Sequence, residues 1–259
     1  MVMPTPLPVD SPPPITAVIV SAGRGSRLLP LTEAMPKCLV PVGGRAILDH
    51  QLDALVEAGV ERAVIVAGYR ADQVADHLAR AGHPLETRLI FNPFWSVASS
   101  IASVWAAHDV VARPFCLMNG DTVFEGAVLR GALAAARPGV NLVVERPAAF
   151  EIDDMRVALD GERVAAVAKD LPGDVATHRS LGLVVSRDPD GGGYAAALRR
   201  VIGASGGLQA YHHAVVDRLA RTGGVTAITA NGSWCEIDRP QDIAAWSRGH
   251  PGDDIGEVA

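Results

Sequence analysis

A short run of residues that ends in a glycine-rich turn constrains the fold of this chain more than any other feature. Residues 15–20 are largely apolar and mostly β-branched, and residues 21–27 follow as Ser-Ala-Gly-Arg-Gly-Ser-Arg. Such a run is typical of a buried strand. A turn with little side-chain bulk offers backbone N–H groups that phosphates can approach closely. The sequence therefore predicts a first strand that leads into a phosphate-binding loop.

The first half of the chain then alternates between strand and helix patterns. Further strands are predicted at residues 62–67, 88–91 and 114–118. Helices are predicted at residues 46–58, 71–81 and 96–110. This alternation predicts βαβ units and a parallel sheet with right-handed crossovers. Ligands of such sheets bind at the carboxyl ends of the strands, where several of the predicted loops converge.

The second half is more mixed. Strands are predicted at residues 141–145, 157–159, 164–168, 181–186 and 225–228, with a strand-like segment at 234–238. Helices are predicted at residues 194–203 and 208–221 and from Pro240 onward. We therefore predict an α/β fold with a Rossmann-like, mixed but mainly parallel sheet flanked by helices, and a small acceptor-binding lid in the second half.

Residues 15–248 are expected to form a single domain. Residues 1–14 contain six prolines and predict a disordered arm, and residues 249–259 predict a disordered tail. The net charge of −6 argues against a nucleic-acid-coating surface. No stretch approaches the ~20 apolar residues of a membrane helix. The three scattered cysteines lack metal-ligand spacing, so we expect reduced thiols in a cytoplasmic protein.

Cations gather beside the glycine-rich turn. Arg24 and Arg27 lie within it, and Lys37 follows ten residues later. Arginine grips phosphate oxygens bidentately and lysine acts as a compact charge, so the three cations suit a triphosphate. The turn lacks the Gly-Lys-Ser/Thr of a P-loop and the third glycine of a dinucleotide fingerprint. The alternative is that all three cations are solvated surface residues.

Residues 20–28 and the dipeptide Pro36-Lys37 resemble the signature of sugar-phosphate and choline-phosphate nucleotidyltransferases. That signature is Ala-Ala-Gly-x-Gly-x-Arg followed by Pro-Lys, and this chain departs from it at Ser21. The resemblance implies that the loop backbone contacts the base and the triphosphate. The loop residues concerned are Ser21, Ala22, Gly23, Gly25, Ser26 and Arg27. It also implies that Arg24 and Lys37 stabilise charge at the phosphates.

Three acidic residues are candidate Mg²⁺ ligands. Asp121 ends Asn119-Gly120-Asp121, which is similar to a Gly-Asp that binds Mg²⁺ in this family. Glu236 and Asp238 share a face of a strand-like segment, where two carboxylates repel each other unless a cation joins them. Their segment is similar to the Trp-x-Glu/Asp-x-Asp of phosphocholine and inositol-phosphate cytidylyltransferases. Asp121 could instead form a turn, and Glu236 could pair with an arginine.

The resemblance also implies an acceptor site and a base site. Lys169-Asp170-Leu171 resembles the inositol-phosphate branch, which implies that Lys169 contacts the acceptor or the α-phosphate. Trp95 either stacks on the acceptor or packs. Residues expected to contact the nucleotide are Gly68, Ser99, Ser100, Ser103, Asn119 and Gly120. The serines could instead only cap a helix.

Other polar residues are predicted to lie outside the reaction site. His212 and His213 are expected to be structural or to lie near the acceptor. Asp153 and Asp154 are expected to lie in a solvated turn, with a cationic acceptor as the alternative partner.

We predict a Mg²⁺-dependent nucleotidyltransferase that transfers a nucleoside monophosphate, CMP from CTP, to the phosphate or phosphonate of a small molecule and releases pyrophosphate. Candidate acceptors are phosphocholine, aminoethylphosphonate, inositol phosphate and sugar 1-phosphates. No nucleic-acid or membrane partner is expected, and a homodimer is left open. The alternatives are a sugar-1-phosphate uridylyl- or guanylyltransferase, a non-catalytic nucleotide-binding regulator, or a glycosyltransferase, which would carry Asp-x-Asp where this chain has Asp121-Thr122-Val123.

Overall fold

The computed structural model describes residues 14–250 of the 259-residue chain. The predictions made for residues 1–13 and 251–259 lie outside this range. Within it, no helix is both long and apolar enough to cross a bilayer. Cys38, Cys116 and Cys235 are free thiols, as predicted.

The strands follow the predicted positions closely, and three short strands, Pro41–Val42, Arg45–Ala46 and Thr122–Phe124, are added at positions predicted as loops. They are β1 (Thr16–Ser21), β2 (Pro41–Val42), β3 (Arg45–Ala46), β4 (Arg62–Ala67), β5 (Glu86–Phe91), β6 (Phe115–Asn119), β7 (Thr122–Phe124), β8 (Val140–Glu145), β9 (Arg156–Asp160), β10 (Arg163–Ala168), β11 (His178–Ser186), β12 (Val225–Thr229) and β13 (Trp234–Glu236). The helices are α1 (Leu31–Ala34), α2 (Ile47–Glu57), α3 (Ala71–Ala81), α4 (Ser100–Ala106), α5 (Gly126–Ala135), α6 (Tyr194–Ile202), α7 (His213–Ala220) and α8 (Pro240–Gly249).

A mixed nine-stranded sheet forms the centre of the fold, in the order β5-β4-β1-β6-β11-β8-β12-β10-β9. Strands β5, β4, β1 and β6 run parallel, as the alternating pattern predicted. Strand β11 is antiparallel to both of its neighbours β6 and β8. Strands β9 and β10, both predicted, pair as an antiparallel hairpin. The α/β fold class is confirmed.

Helices cover both faces of the sheet, so its strands carry apolar side chains on both sides. On one face, Ile19 packs in a cluster with Leu48 and Leu52 of α2. On the other face, Val18 packs in a cluster with Ile101 of α4. The consecutive residues Val18 and Ile19 therefore stabilise opposite layers, which fixes the register of β1 and the place where its glycine-rich turn begins.

Helix α5 was not predicted. Its sequence contains Gly126 and Gly131, and glycine lowers helix propensity by roughly 1 kcal/mol relative to alanine. Burial of Val128, Leu129 and Leu133 in the cluster shared with α2 overrides that preference. Tertiary packing therefore stabilises a helix that the local sequence disfavours.

Two predicted helices are shorter in the structure. The pattern at residues 96–110 is helical only over α4, and the pattern at 208–221 only over a 3₁₀ turn and α7. The non-helical parts of the two segments are hydrogen-bonded to each other. Ser99 N donates to Leu208 O at 2.8 Å, and His212 N donates to Ser100 Oγ at 3.0 Å. Contacts between segments distant in sequence replace the helical hydrogen bonds here, and both segments face a cavity.

Candidate active site

The loops at the carboxyl ends of β1 and β6 open onto a cavity of about 450 Å³. Strand β13, strand β11, the segments that flank the hairpin of β9 and β10, and the segment before α7 form other parts of the wall. Predicted site residues that line it are Ala22, Gly23, Gly25, Ser26, Arg27, Lys37, Trp95, Ser99, Ser100, Ser103, Asn119, Asp121, Lys169, Glu236 and Asp238. The topology thus brings together residues from both halves of the chain.

A two-stranded ribbon of β7 and β13 assembles the acidic residues. The two strands are antiparallel, and Glu236 is the register partner of Thr122. One residue further, Ile237 N donates to Asp121 O at 2.8 Å. As a result, one carboxylate oxygen from each of Asp121, Glu236 and Asp238 lies within 4.8 Å of the others. Asp121 and Asp238 therefore lie close together, as the predicted metal site requires.

Lys37 joins two of these carboxylates. Its Nζ lies 2.8 Å from Asp121 Oδ2 and 2.5 Å from Asp238 Oδ1. Burial alone lowers the pKa of Lys37, but the two carboxylates outweigh it and raise the pKa above the ordinary lysine value. Lys37 is therefore a fixed positive charge. Its stem passes against Gly25, where an added Cβ would lie 2.8 Å from Lys37 Cβ.

Glu236 is the carboxyl group of the cluster that lacks a close cation. Burial, followed by the charges of Asp121 and Asp238, raises the pKa of Glu236 to about 8. For Asp238, burial raises the pKa, but Lys37 and Arg27 outweigh it and the net shift is downward. The cluster therefore carries more acidic groups than one ammonium neutralises.

A divalent cation fits this donor set. Asp121 Oδ1 is buried and has no hydrogen-bond partner among residues 14–250. Burying a charged oxygen without a partner is costly. Mg²⁺ in proteins is held by a few carboxylates together with phosphate oxygens or water. The orphaned oxygen and its acidic neighbours match that preference.

Of the two arginines predicted to contact phosphates from the glycine-rich loop, one lines the cavity and the other does not. Arg27 lines the cavity and forms ion pairs with Asp238 and, at 3.2 Å, with Asp153. Arg24 instead lies over the ring of Tyr69, 5.7 Å from its centroid, and does not line the cavity. The role of Arg24 at the phosphates stays a prediction, whereas Arg27 is placed to meet a ligand directly.

Three other predicted nucleotide contacts lie behind the cavity wall. Ser21 is buried. A Cβ at Gly120 would lie 2.0 Å from Ser21 Oγ and 2.5 Å from Val20 O. A Cβ at Gly68 would lie 2.4 Å from Trp95 Cβ. The two glycines allow neighbouring segments to pack closely, so their presence has a structural reason, and direct contact with a nucleotide stays a prediction.

The serines of the predicted base site line the cavity as expected. Ser100 Oγ accepts a hydrogen bond from His212 N, and Ser103 Oγ accepts one from Asn92 Nδ2 at 3.0 Å. Ser99 stands at the N-cap of α4, but its side chain makes no capping hydrogen bond. Capping alone therefore does not account for Ser99.

The wall opposite the glycine-rich loop contains residues that were not predicted as site residues. His212 and His213 are buried and line the cavity, together with Asp153, Asp154 and Tyr211. The expectation of a solvated turn is wrong for Asp154, whose side chain is 9% exposed and pairs with Arg179 at 3.0 Å. Paired histidines at the start of a helix are a weak sequence signal, because only tertiary packing buries them.

His212 couples the stability of this wall to pH. Its Nε2 lies 2.9 Å from Asn119 Oδ1 and donates to it, while its Nδ1 is buried without a partner among the described residues. Burial lowers the pKa of His212 to about 4, from an ordinary value of 6.5. Burial, followed by the charges of His212 and Lys169, lowers the pKa of His213 as well. The folded state therefore requires neutral rings.

We expect His212 to lower the stability of the folded state in acid. Because its folded pKa is depressed, its neutral ring favours the folded state above pH 6.5, and that contribution is lost as the pH falls toward 4. The loss amounts to about 3 kcal/mol at most. Guanidinium unfolding of wild type and His212→Gln across this range measures it, and the variant should show the shallower decline. His108→Gln, at a half-exposed histidine, is the control, and equal slopes for wild type and His212→Gln would refute the expectation.

Comparison with known proteins places the chain in a family. The model of the MobA-like NTP transferase domain matches residues 17–150, slightly more than half of the chain. CMP-5'-(3-aminopropyl)phosphonate synthase of Streptomyces rubellomurinus is 31% identical over 241 residues, which are 88% of this chain and 38% of that protein. N-acetylmuramate alpha-1-phosphate uridylyltransferase of Caulobacter vibrioides is 46% identical over 80 residues, which are 30% of this chain and 33% of that protein. The chain thus matches well under two thirds of the length of these relatives.

Solved structures show the same fold. The inositol-1-phosphate CTP transferase from T. maritima has a TM-score of 0.75 at 19% identity, covering 91% of this chain and 97% of that chain. CTP:phosphocholine cytidylyltransferase from Streptococcus pneumoniae has a TM-score of 0.73 at 20% identity, covering 91% of this chain and 98% of that chain. These likenesses show the fold, and the match of the family model over more than half of the chain shows that the chain belongs to the MobA-like NTP transferase domain family.

Proposed function

We propose that this protein is a nucleotidyltransferase that transfers CMP from CTP to the phosphate or phosphonate of a small molecule and releases pyrophosphate. The observation that carries the proposal is the group of Lys37, Asp121 and Asp238, with Lys37 Nζ within 2.8 Å of both carboxylates. This group lies beside a glycine-rich loop in one cavity with Lys169. A fixed cation, an acidic cluster that could hold Mg²⁺ and a second lysine are components that phosphoryl-type transfer uses.

The chemistry needs positioning more than proton transfer. An acceptor phosphate or phosphonate oxygen is already ionised near neutral pH, so it can attack the α-phosphorus without a strong base. A bond forms between that oxygen and the α-phosphorus, and the bond from the α-phosphorus to the bridging oxygen breaks. Pyrophosphate leaves with the electron pair. The residues of this chain orient the two anions and offset their repulsion.

Each cation has a distinct place in this scheme. Lys37 and Arg27, beside the glycine-rich loop, offset charge on the triphosphate. Lys169, on the other side of Asp153 from Arg27, receives the anionic group of the acceptor. Asp121, Glu236 and Asp238 would hold Mg²⁺, which when bound supplies further charge neutralisation at the phosphate oxygens.

Preference for CTP and a phosphonate is supported by the relative that aligns over most of the chain, CMP-5'-(3-aminopropyl)phosphonate synthase. A sugar-1-phosphate uridylyltransferase is the second candidate. It is favoured by the 46% identity to the Caulobacter uridylyltransferase, although that match covers only 30% of this chain. The two candidates differ in base and acceptor, not in the type of transfer.

Pyrophosphate release distinguishes these functions. Each of CTP, UTP, GTP and ATP is incubated with Mg²⁺ and with one acceptor from a panel of aminoalkylphosphonates, phosphocholine, inositol phosphate and sugar 1-phosphates. We expect release with CTP and a phosphonate or phosphocholine. Release with UTP and a sugar 1-phosphate would support the second candidate instead. Release with no pair, from folded protein that binds nucleotide, would indicate a regulator and refute the proposed transfer.

A further inference from the structure

Lys169 has an unusual environment for a lysine inside a cavity. It follows β10, and its side chain is 32% exposed. Its closest carboxylate oxygen, Asp153 Oδ1, is 3.8 Å from Nζ, beyond hydrogen-bond distance. Among the described residues, none accepts a hydrogen bond from Lys169, whereas Lys37 donates to two carboxylates. The three donors of Lys169 are therefore available to a ligand.

Besides the carboxylate of Asp153, an aromatic ring contacts this ammonium. Lys169 Nζ lies 4.7 Å from the centroid of the Tyr211 ring. A cation within about 6 Å of a ring centroid is attracted by the ring face. This attraction uses none of the N–H groups in ordinary hydrogen bonds and adds no negative charge near the acceptor. An aromatic face therefore places the lysine without competing with an anionic ligand for it.

Tyr211 itself is placed by the buried wall behind it. The next residue, His212, is 1% exposed and is fixed by hydrogen bonds to Ser100 and Asn119. On the other side, Tyr211 O accepts a hydrogen bond from Ala214 N at 3.0 Å. The Tyr211 side chain is 48% exposed and lines the cavity. Hydrogen bonds therefore hold the backbone at Tyr211, and its ring contacts Lys169.

We propose that Tyr211 is a positioning residue, whose ring face holds the Lys169 ammonium where the anionic group of the acceptor binds. The proposal rests on the transfer reaction proposed above. Because the interaction is with the ring, phenylalanine can replace tyrosine and an aliphatic residue cannot. The effect is expected in acceptor binding, since CTP would contact the glycine-rich loop, whose Arg27 lies on the other side of Asp153 from Lys169.

A spectroscopic test does not depend on activity. The chain has only two lysines, Lys37 and Lys169, so lysine labelled with ¹³C at the ε position gives two signals, assigned with Lys169→Arg. Ring current should shift the Lys169 ε-protons upfield in wild type and in Tyr211→Phe. In Tyr211→Leu, this signal should move toward the free-lysine position while the Lys37 signal stays. A Lys169 signal that is unshifted in wild type, or unmoved in Tyr211→Leu, would overturn the proposal.

Kinetics test the consequence. Tyr211→Leu should raise the KM for the acceptor about tenfold, with the KM for CTP nearly unchanged, and Tyr211→Phe should restore it. In a Lys169→Met background, the same Leu replacement should change the acceptor KM by less than about twofold. A full effect in that background would mean that Tyr211 contacts the acceptor itself, which overturns the positioning role. If no acceptor supports turnover by wild type, the proposed function fails, and the NMR result still decides the placement of Lys169.

Discussion

Asp121→Asn should lower kcat for pyrophosphate release by about a thousandfold, because it removes one of three carboxylates that would hold Mg²⁺ at the phosphates. Asparagine is nearly the same size and keeps one oxygen, so the fold should persist. The lost charge also leaves Lys37 with one carboxylate partner instead of two. The Mg²⁺ concentration that gives half-maximal activity should rise in the variant.

The matched control is Asp109→Asn, at a carboxylate that is 71% exposed and lies outside the cavity at the carboxyl ends of the strands. It should have the kcat and Mg²⁺ response of wild type. Circular dichroism of both variants reports whether the fold is retained. A folded Asp121→Asn variant with kcat within about tenfold of wild type would contradict the assignment of Asp121.

Lys37→Met should have the second largest effect, on both turnover and stability. The variant leaves Asp121 and Asp238 side by side without their shared cation, with Glu236 close to both. Removing one partner from a largely buried ion pair costs about 3–5 kcal/mol. We expect the free energy of unfolding to fall by about this amount in chelator and to recover partly in Mg²⁺, which can bind the vacated carboxylates. Turnover should fall about a thousandfold even with Mg²⁺, since the charge offset at the triphosphate is lost.

The measurements are denaturant unfolding in EDTA and in Mg²⁺, with wild type alongside. Arg45→Met is the control, because Arg45 pairs with Asp53 at 2.5 Å on the surface, where both side chains are at least 40% exposed. Exposed pairs contribute roughly 0–1 kcal/mol, so this control should be close to wild type in both buffers. Two results would show that Lys37 does not occupy a cation site. One is a free energy of unfolding of Lys37→Met in EDTA that equals that of wild type. The other is a stabilisation of Lys37→Met by Mg²⁺ that is no greater than that of wild type.

Local sequence patterns were sufficient to predict most of the strands and helices of this fold. Strand β4 and helix α3 have the predicted bounds, because their apolar periodicities are long and regular. Strand β7 has only three residues, which is too short for a periodicity to show, whereas the segment that contains β13 was predicted to be strand-like. The ribbon that joins Asp121 to Glu236 was therefore not predictable as structure, although the carboxylates themselves were identified.

The directions of individual side chains were less accessible from sequence. Arg24 and Arg27 are both arginines of the same glycine-rich turn, yet Arg27 lines the cavity and Arg24 does not. The difference arises from Gly25, whose φ of 71° turns the backbone between them, and from the 3₁₀ turn that begins at Ser26. Burial of His212 likewise depends on segments more than 90 residues away in sequence, which no local pattern encodes.

The ribbon of β7 and β13 has a consequence for biosynthesis. Asp121 directly precedes β7 in the first half of the chain, but the partner strand of β7, β13, ends at Glu236 in the second half. A nascent chain that has left the ribosome only as far as residue 200 contains one of the three carboxylates and can already form the parallel strands of its first half. The group of three carboxylates is completed only when β13 has been synthesised and has docked against β7, so a shorter nascent chain folds its parallel strands before it can assemble this cluster.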